Sequence, residues 1–221
     1  MSKIANKKLH FLITAGGTRE YIDPVRFISN ASSGQMGIAL ARAALQAGHT
    51  VTLITAPTAL KPPKEAQIIA VQTSEQMFCA VKDVFSDCDI LIMAAAVSDY
   101  KPAQTSPFKL KKQQNELVLH LVPTRDILAW AGRHKQPTQR VVGFALEDRD
   151  LFANAEEKLR KKHLDMIVAN APTAIGANAS VLHVKTPDSE WQTLPLADKT
   201  RHADELIKMI EYLSRKAANH P

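Results

Sequence analysis

Only two cysteines, Cys79 and Cys88, occur in the 221 residues. Both sit in apolar-rich stretches without metal-ligand spacing, which favours buried reduced thiols over a disulfide or a ligand pair. Aromatic residues make up 5%, few for a base-stacking surface, and no nucleic-acid-binding motif is present. No apolar run reaches the roughly 20 residues that span a membrane. The basic N-terminus MSKIANKK leads into the first strand pattern without the apolar core and cleavage site of a signal peptide. The expectation is therefore a cytoplasmic protein that uses neither nucleic acid nor membrane. No internal repeat and no interdomain linker is visible, so residues 1–221 are expected to form a single domain. No Ser–His or Cys–His constellation is apparent that would mark a covalent nucleophile.

What is present begins with charge. The 28 basic and 22 acidic residues leave a net charge of +6. With nucleic acid and membrane set aside, that balance fits a nucleotide or another phosphorylated small molecule. The alternative for most of the lysines is a solvated basic surface.

The hydrophobic pattern alternates between strand and helix. Residues 9–15 (LHFLITA) form an apolar run that ends at Gly16-Gly17, a buried strand followed by a breaker. Residues 33–48 have helical spacing and end in Gly48. Residues 50–55 (TVTLIT) and 66–72 (AQIIAVQ) are β-rich, and Thr73 or Ser74 then caps a helix to about Asp87. Residues 88–97, 140–147 and 165–171 are further buried strands, with helices predicted at 124–135, capped by Thr124, and at 151–164. Nearly continuous apolar strands alternating with helices predict a mostly parallel sheet covered on both faces. SVLHVKTP and EWQTLPL predict a closing antiparallel pair, and a long amphipathic helix starts near Lys199. Between them, FKLKK and ELVLHLV, separated by Gln113-Gln114-Asn115, read as a small hairpin or flap.

Several segments carry candidate chemistry. Gly16-Gly17 and Ser32-Ser33-Gly34 bracket a strand–loop–helix unit in which close backbone approach and a helix N-terminus can hold phosphate. The spacing is not the Gly-x-Gly-x-x-Gly dinucleotide fingerprint, and no Walker lysine follows. Arg26 offers a planar fork to phosphate or carboxylate and Asn30 a donor to a developing oxyanion. Alternatively Asp23 and Arg26 pair with each other and Asn30 closes a turn. Asp99, after the small residues of Met93-Ala94-Ala95, stands where a sheet's carboxyl edge meets its ligand, or simply caps a turn. Lys109, with Lys111 and Lys112, can neutralise polyphosphate or form a solvated edge strand, in which Lys109 and Lys111 would point one way and Lys112 the other. Lys158 and Lys162 share one helix face and repel unless an anion or nearby Glu156 and Glu157 offsets them.

Taken in order, GGTREYIDPVRFISNASSGQMG, MAAAVSDYKP, KLKK, the TRDIL segment, VGFALE and KLRKKHLDMIVAN resemble the bacterial phosphopantothenoylcysteine synthetase family of coenzyme A biosynthesis, in a stand-alone form. The resemblance implies a Rossmann-like three-layer α/β fold with a flap hairpin and an antiparallel C-terminal extension. It implies activation of 4′-phosphopantothenate by CTP to an acyl-cytidylate, then amide formation with L-cysteine. Mg2+ with CTP as co-substrate, no flavin, and a homodimer belong to the same expectation. Carried over by motif, Asn30, Arg26 and Lys109 are catalytic. Nucleotide binding falls to Gly16, Gly17, Ser32, Ser33, Gly34, Met93, Ala94, Ala95, Asp99, Lys109, Thr124, Arg125, Asp126, Ile127, Phe144, Lys158 and Lys162. The residues that would hold the metal are not identified. Many bacterial members read SNRSSGKMG, so Ala31 and Gln35 leave this phosphate loop two charges short; Arg125 is a candidate to restore one. The competing readings are a nicotinamide-dependent oxidoreductase on a similar sheet and a nucleotide-binding protein without ligase activity.

Overall fold

The computed structural model describes residues 7–112, 116–174, 176–177 and 179–218. In chain order its elements are β1 (His10–Ala15), β2 (Arg19–Tyr21), β3 (Phe27–Ser29), α1 (Gln35–Gln46), β4 (Thr50–Thr55), β5 (Gln67–Ala70) and α2 (Ser74–Val84). They continue with β6 (Ile90–Met93), β7 (Tyr100–Pro102), β8 (Leu121–Pro123), α3 (Ile127–His134), β9 (Arg140–Leu146) and α4 (Leu151–Lys161). The chain closes with β10 (Met166–Asn170), β11 (Ala179–Lys185), β12 (Gln192–Asp198) and α5 (Lys199–Ala218).

The main sheet runs β12-β11-β10-β9-β6-β1-β4-β5. From β5 to β10 every pairing is parallel, and β11 and β12 add antiparallel strands at the β10 edge. This is the expected Rossmann-like architecture with its antiparallel extension. The strand order reverses between β1 and β6, and an open parallel sheet binds its ligand in the crevice beyond such a switch point.

Alternation along the strands sorts the core into two layers. Phe11 and Ile13 of β1 and Ile90 and Ile92 of β6 face α1 and α5. Leu12, Leu91 and Met93 face α2, α3 and α4. Each such side chain removed from water contributes about 1.5–3 kcal/mol, against the ordering entropy of the chain. A reciprocal capping box starts α2: Thr73 Oγ1 accepts from Gln76 N at 3.2 Å, and Thr73 N donates to Gln76 Oε1 at 3.3 Å. Helices α1 and α5 lie side by side in the same direction. Lys199 reaches Gln35 at their first turns, and His49 Nε2 meets Glu211 Oε1 at 2.8 Å near their far ends. His49 Nδ1 accepts the Leu9 amide at 3.2 Å, so the ring also ties this corner to β1.

The flap differs in detail from the sequence expectation. FKLKK and ELVLHLV supply no strand before Leu121, and the Gln113-Gln114-Asn115 turn lies outside the described residues. The strand pair forms at the base instead, with Tyr100–Pro102 antiparallel to Leu121–Pro123. The alternation assigned to Lys109, Lys111 and Lys112 therefore has no strand to rest on. A short β2–β3 hairpin also forms inside the first glycine-bounded loop, where a plain loop was expected.

Candidate active site

The loops after β1 and β6 are joined backbone to backbone. Ala96 N donates to Gly16 O at 2.9 Å and Thr18 N to Ala96 O at 3.3 Å. Side chains continue the seam: Thr14 Oγ1 accepts Ala95 N at 3.1 Å, and Thr18 Oγ1 accepts Ser98 N at 2.9 Å. The seam can form because Thr14 and Thr18 are fully buried, so their hydroxyls bond protein rather than water. The first turn of α1 is pressed onto this floor. Gly34 has φ 75°, and a Cβ there would stand 3.1 Å from Gly16 N. The two glycine clusters thus meet in space, and a side chain at Gly34 would force them apart.

Above the floor opens a cavity of about 880 Å³. Of the sequence-nominated residues, Asn30, Ser32, Ser33, Gly34, Met93, Ala94, Ala95, Asp99, Thr124, Arg125, Asp126, Ile127, Phe144, Lys158 and Lys162 line it. Gly16 and Gly17 lie beneath, holding the seam. Arg26 and Lys109 do not line it; they stand together at the flap.

Asn30 bridges the loops rather than closing its own turn: its Nδ2 donates to Val97 O at 3.1 Å. Thr124, expected as the cap of α3, is occupied elsewhere. Its hydroxyl donates to Ser98 O at 2.6 Å and its amide to Asp99 O at 2.8 Å. Asp126 caps α3 in its place, accepting Ala129 N at 2.9 Å. The same carboxylate takes Lys162 Nζ at 2.8 Å. Burial raises the Asp126 pKa, but Lys162, the Ala129 amide and the Lys158 charge outweigh it and leave the group below its usual range.

Lys158 donates to Phe144 O at 2.7 Å. Burial, then the neighbouring Lys162 ammonium, pushes its pKa down. The glutamates expected to offset these lysines are engaged elsewhere, Glu156 with Lys185 and Trp191, and Glu157 with Lys161. Asp126 does that work for Lys162. Arg125, the candidate to restore charge at the phosphate loop, pairs at 3.5 Å with Glu75 and lies 4.8 Å over the Phe78 ring.

At the flap, the pairing alternative for Arg26 holds. Its guanidinium lies 2.6 Å from Asp23 Oδ2 and also donates to Leu110 O. Asp23, fully buried, accepts the amides of Val25 at 2.8 Å, Arg26 at 2.9 Å and Leu110 at 3.1 Å. Burial alone would raise its pKa; these donors reverse the effect and hold it well below the carboxylate range. The knot fixes Leu110, and with it the exposed neighbour Lys109, against the hairpin that carries Arg26.

Sequence reasoning missed Glu147, Asn170, Ser180 and Lys199, all of which line the cavity. Lys199 Nζ donates to Ala177 O at 2.8 Å and to Gln35 Oε1 at 3.3 Å. Glu147 and Asn170 end buried strands beside Phe144, positions that the carboxyl-edge rule would have flagged. Among the described residues no group of three or more His, Cys, Asp or Glu side chains is placed to hold a metal ion.

The family of DNA/pantothenate metabolism flavoprotein C-terminal domains matches residues 6–213. A cysteine/cysteine sulfinic acid decarboxylase from an unknown prokaryotic organism is 44% identical over 92% of this chain and 55% of its own length. The coenzyme A biosynthesis bifunctional protein CoaBC of Bacillus subtilis is 42% identical over 94% of this chain and 52% of that protein. The chain therefore spans about half the length of the curated relatives it matches. The crystal structure of the C-terminal domain of a CoaBC superposes with TM-score 0.83 at 37% identity, covering 97% of this chain and 100% of that one. A Cab2 mutant in complex with phosphopantothenate-cysteine shares the fold at TM-score 0.82 and 17% identity, over 98% of this chain and 89% of that one. With a family match over nearly its whole length, the chain belongs to the DNA/pantothenate metabolism flavoprotein C-terminal domain family.

Proposed function

We propose that this chain is a phosphopantothenate–cysteine ligase that uses CTP, working as a single synthetase domain in the cytoplasm. The observation that carries the reading is the convergence of five separate sequence segments on one cavity at the switch point of the sheet. These are Asn30–Gly34, Met93–Asp99, Thr124–Ile127, Phe144 and the Lys158–Lys162 pair. The cavity offers a floor of backbone at the α1 N-terminus and cations on its far wall. A polyanion with a polar base fits that distribution. The relatives reported above include coenzyme A biosynthesis proteins and give no support to a nicotinamide oxidoreductase.

In this reading the carboxylate of 4′-phosphopantothenate attacks the α-phosphorus of CTP. The α–β phosphoanhydride bond breaks and pyrophosphate leaves. The amine of L-cysteine then attacks the acyl carbon, the acyl carbon–oxygen bond of the mixed anhydride breaks, CMP departs with that oxygen, and the amine proton passes to solvent. The Ser33 amide and the positive end of the α1 dipole face phosphate, while the Ser32 and Gly34 amides shape the loop by donating to Asn30 O at 2.8 Å and Ser32 Oγ at 3.3 Å. Asp99, exposed and without a side-chain hydrogen bond among the described residues, is free to meet the ribose or the cytosine amino group. Asn30 Nδ2, at the seam, donates to the acyl intermediate, and Lys109 enters from the flap to neutralise charge developing on the transferred phosphorus. Magnesium would supply further charge neutralisation, held by the phosphates, since Asp99 is given to the cytidine and no group of three or more His, Cys, Asp or Glu side chains is placed for a metal among the described residues.

The flap and the β2–β3 hairpin leave Val25, Phe27, Tyr100, Phe108, Leu121 and Val122 exposed. Apolar exposure on that scale supports association of two copies through this face, the homodimer of the proposal. The deciding experiment is pyrophosphate release from CTP or ATP with phosphopantothenate, followed by cysteine-dependent CMP release. Lys109→Gln should nearly abolish the first step, and Asn30→Asp should impair the second. Wild-type rates in both variants would sink the assignment.

A further inference from the structure

We propose that Lys199 is a phosphate-binding residue of this cavity, entering from α5 to supply the positive charge at the first turn of α1. The inference rests on the ligase reading above and adds a residue to its anion site.

Four observations converge on it. Lys199 lines the cavity beside Gln35, Gly176 and Ser180. Its two hydrogen-bond acceptors, Gln35 Oε1 and Ala177 O, are both neutral. No carboxylate among the described residues contributes to its electrostatics; burial alone acts on it, lowering its pKa. An ammonium partly withdrawn from water without a counter-charge is poised for an anion. Its position on the helix points the same way. Lys199 is the first residue of α5, with Asp198 Oδ1 accepting the Arg201 amide at 2.8 Å as the cap. A cation there opposes the helix dipole, so the local structure gains nothing from its charge.

The surroundings are those of an anion corner. Helices α1 and α5 run in the same direction, so the positive ends of both dipoles open on the same edge. The Ser180 hydroxyl is buried, at 8% residue exposure, and has no hydrogen-bond partner among the described residues. A phosphate oxygen would satisfy it together with Lys199 Nζ. The remaining cations of the cavity are engaged on the opposite wall, Lys162 with Asp126, Lys158 with Phe144 O, and Arg125 with Glu75. Lys199 is thus the ammonium placed to serve the α1 end.

Two phosphates could occupy the corner, the nucleotide's terminal phosphates or the phosphate of the acid substrate, and kinetics separates them. Lys199→Met is expected to raise one of the two KM values by about ten- to a hundredfold, the loss of one charge-assisted contact, with a smaller change in kcat. A rise for CTP places the nucleotide phosphates there, and a rise for phosphopantothenate places the acid's phosphate; either supports the proposal. Lys199→Arg should retain most of the affinity. Gln35→Lys in the Lys199→Met background should restore it, since the Gln35 side chain already meets the Lys199 ammonium. A merely structural lysine would not be rescued in that way. Calorimetric titration of inorganic tripolyphosphate into wild type and variants reads the corner without turnover. It therefore decides the matter even if the wild-type chain proves inactive as a ligase. Unchanged KM values and unchanged tripolyphosphate affinity in a folded Lys199→Met protein would overturn the proposal.

Discussion

Gly132 sits in α3 where that helix crosses the turn ending α4. A Cβ on it would lie 1.8 Å from Lys162 O and 3.0 Å from Lys162 C. Ordinary contact starts near 3.4 Å, so Gly132→Ala must part the two segments by 1.6 Å (3.4 − 1.8). The obstacle is backbone, which cannot swing aside, so the cost belongs at the upper end of overpacking, about 3 kcal/mol. Alanine returns about 1 kcal/mol as the better helix former. The net of about 2 kcal/mol corresponds to a Tm lower by roughly 4–8 °C for a domain of this size. The displacement also carries function, because Lys162 is held to the α3 cap residue Asp126 at 2.8 Å and would leave its place in the cavity wall. A KM for CTP raised about tenfold should therefore accompany the thermal shift. Gly143→Ala is the control: its Cβ would meet the methyl ends of Leu128 and Leu164 at 2.8 Å, which can rotate away. Differential scanning calorimetry and steady-state kinetics on the three proteins decide the case. Gly132→Ala with wild-type Tm and KM would refute the reasoning.

Thr73→Ala removes one half of the α2 capping box and should cost about 1 kcal/mol, seen as a lower denaturation midpoint with kinetics unaltered. Asp23→Asn removes the charge that gathers Arg26 and Leu110, so trypsin should cut after Lys109, Lys111 and Lys112 several-fold faster, at a temperature where the less stable variant is still folded; equal cleavage rates would show that the knot does not restrain the flap. The depressed Asp23 pKa means the folded state binds fewer protons than the unfolded one. Its contribution is complete above the ordinary value of 3.8 and is lost as pH falls toward the lower folded value. Asp23→Asn should therefore lose less stability than wild type on acidification through that window, as followed by urea denaturation. Lys158 is also depressed, from 10.5. Between its folded pKa and 10.5 the unfolded state holds the extra proton, so wild-type stability should gain with rising pH there. Lys158→Met should show a flatter profile, and parallel profiles would contradict the assignment.

The parallel sheet was legible because β1, β4, β6, β9 and β10 are apolar runs closed by glycine, cap or polar loop residues. Burial on both faces writes that pattern directly into the chain. The pairs β2–β3 and β7–β8 were not legible. Three-residue strands leave too few positions for an alternation, and their pairing depends on where the main sheet holds their ends. The cap of α3 shows how tertiary contacts choose between equivalent local options. Thr124 and Asp126 are both able caps, but Ser98 and Asp99 take Thr124, so the helix starts at Ile127. Within the site, the segments beyond β6, β8 and β9 could be nominated one at a time. Their meeting could not be read from any of them. The Arg26–Asp23 knot was foreseen as an alternative, since three-residue spacing favours it; its extension to Leu110 required the flap. Lys199 left no local signal, because its neighbour Gln35 is 164 positions away.

That separation bears on how the protein assembles and how ligand binding reports on it. One corner of the cavity joins residues near the start of the chain to the first residue of the last helix. Contacts of such long range form late, after their loop-closure entropy has been met. A partly folded chain with β1 and α1 in place would have a glycine floor but no complete vessel. Ligand binding should then couple to unfolding of the whole molecule rather than to local opening. At a hundred times its dissociation constant, a nucleotide would add about 2.7 kcal/mol to global stability. Amide exchange would slow most in β1, α1 and α5 together, however far apart they stand in sequence.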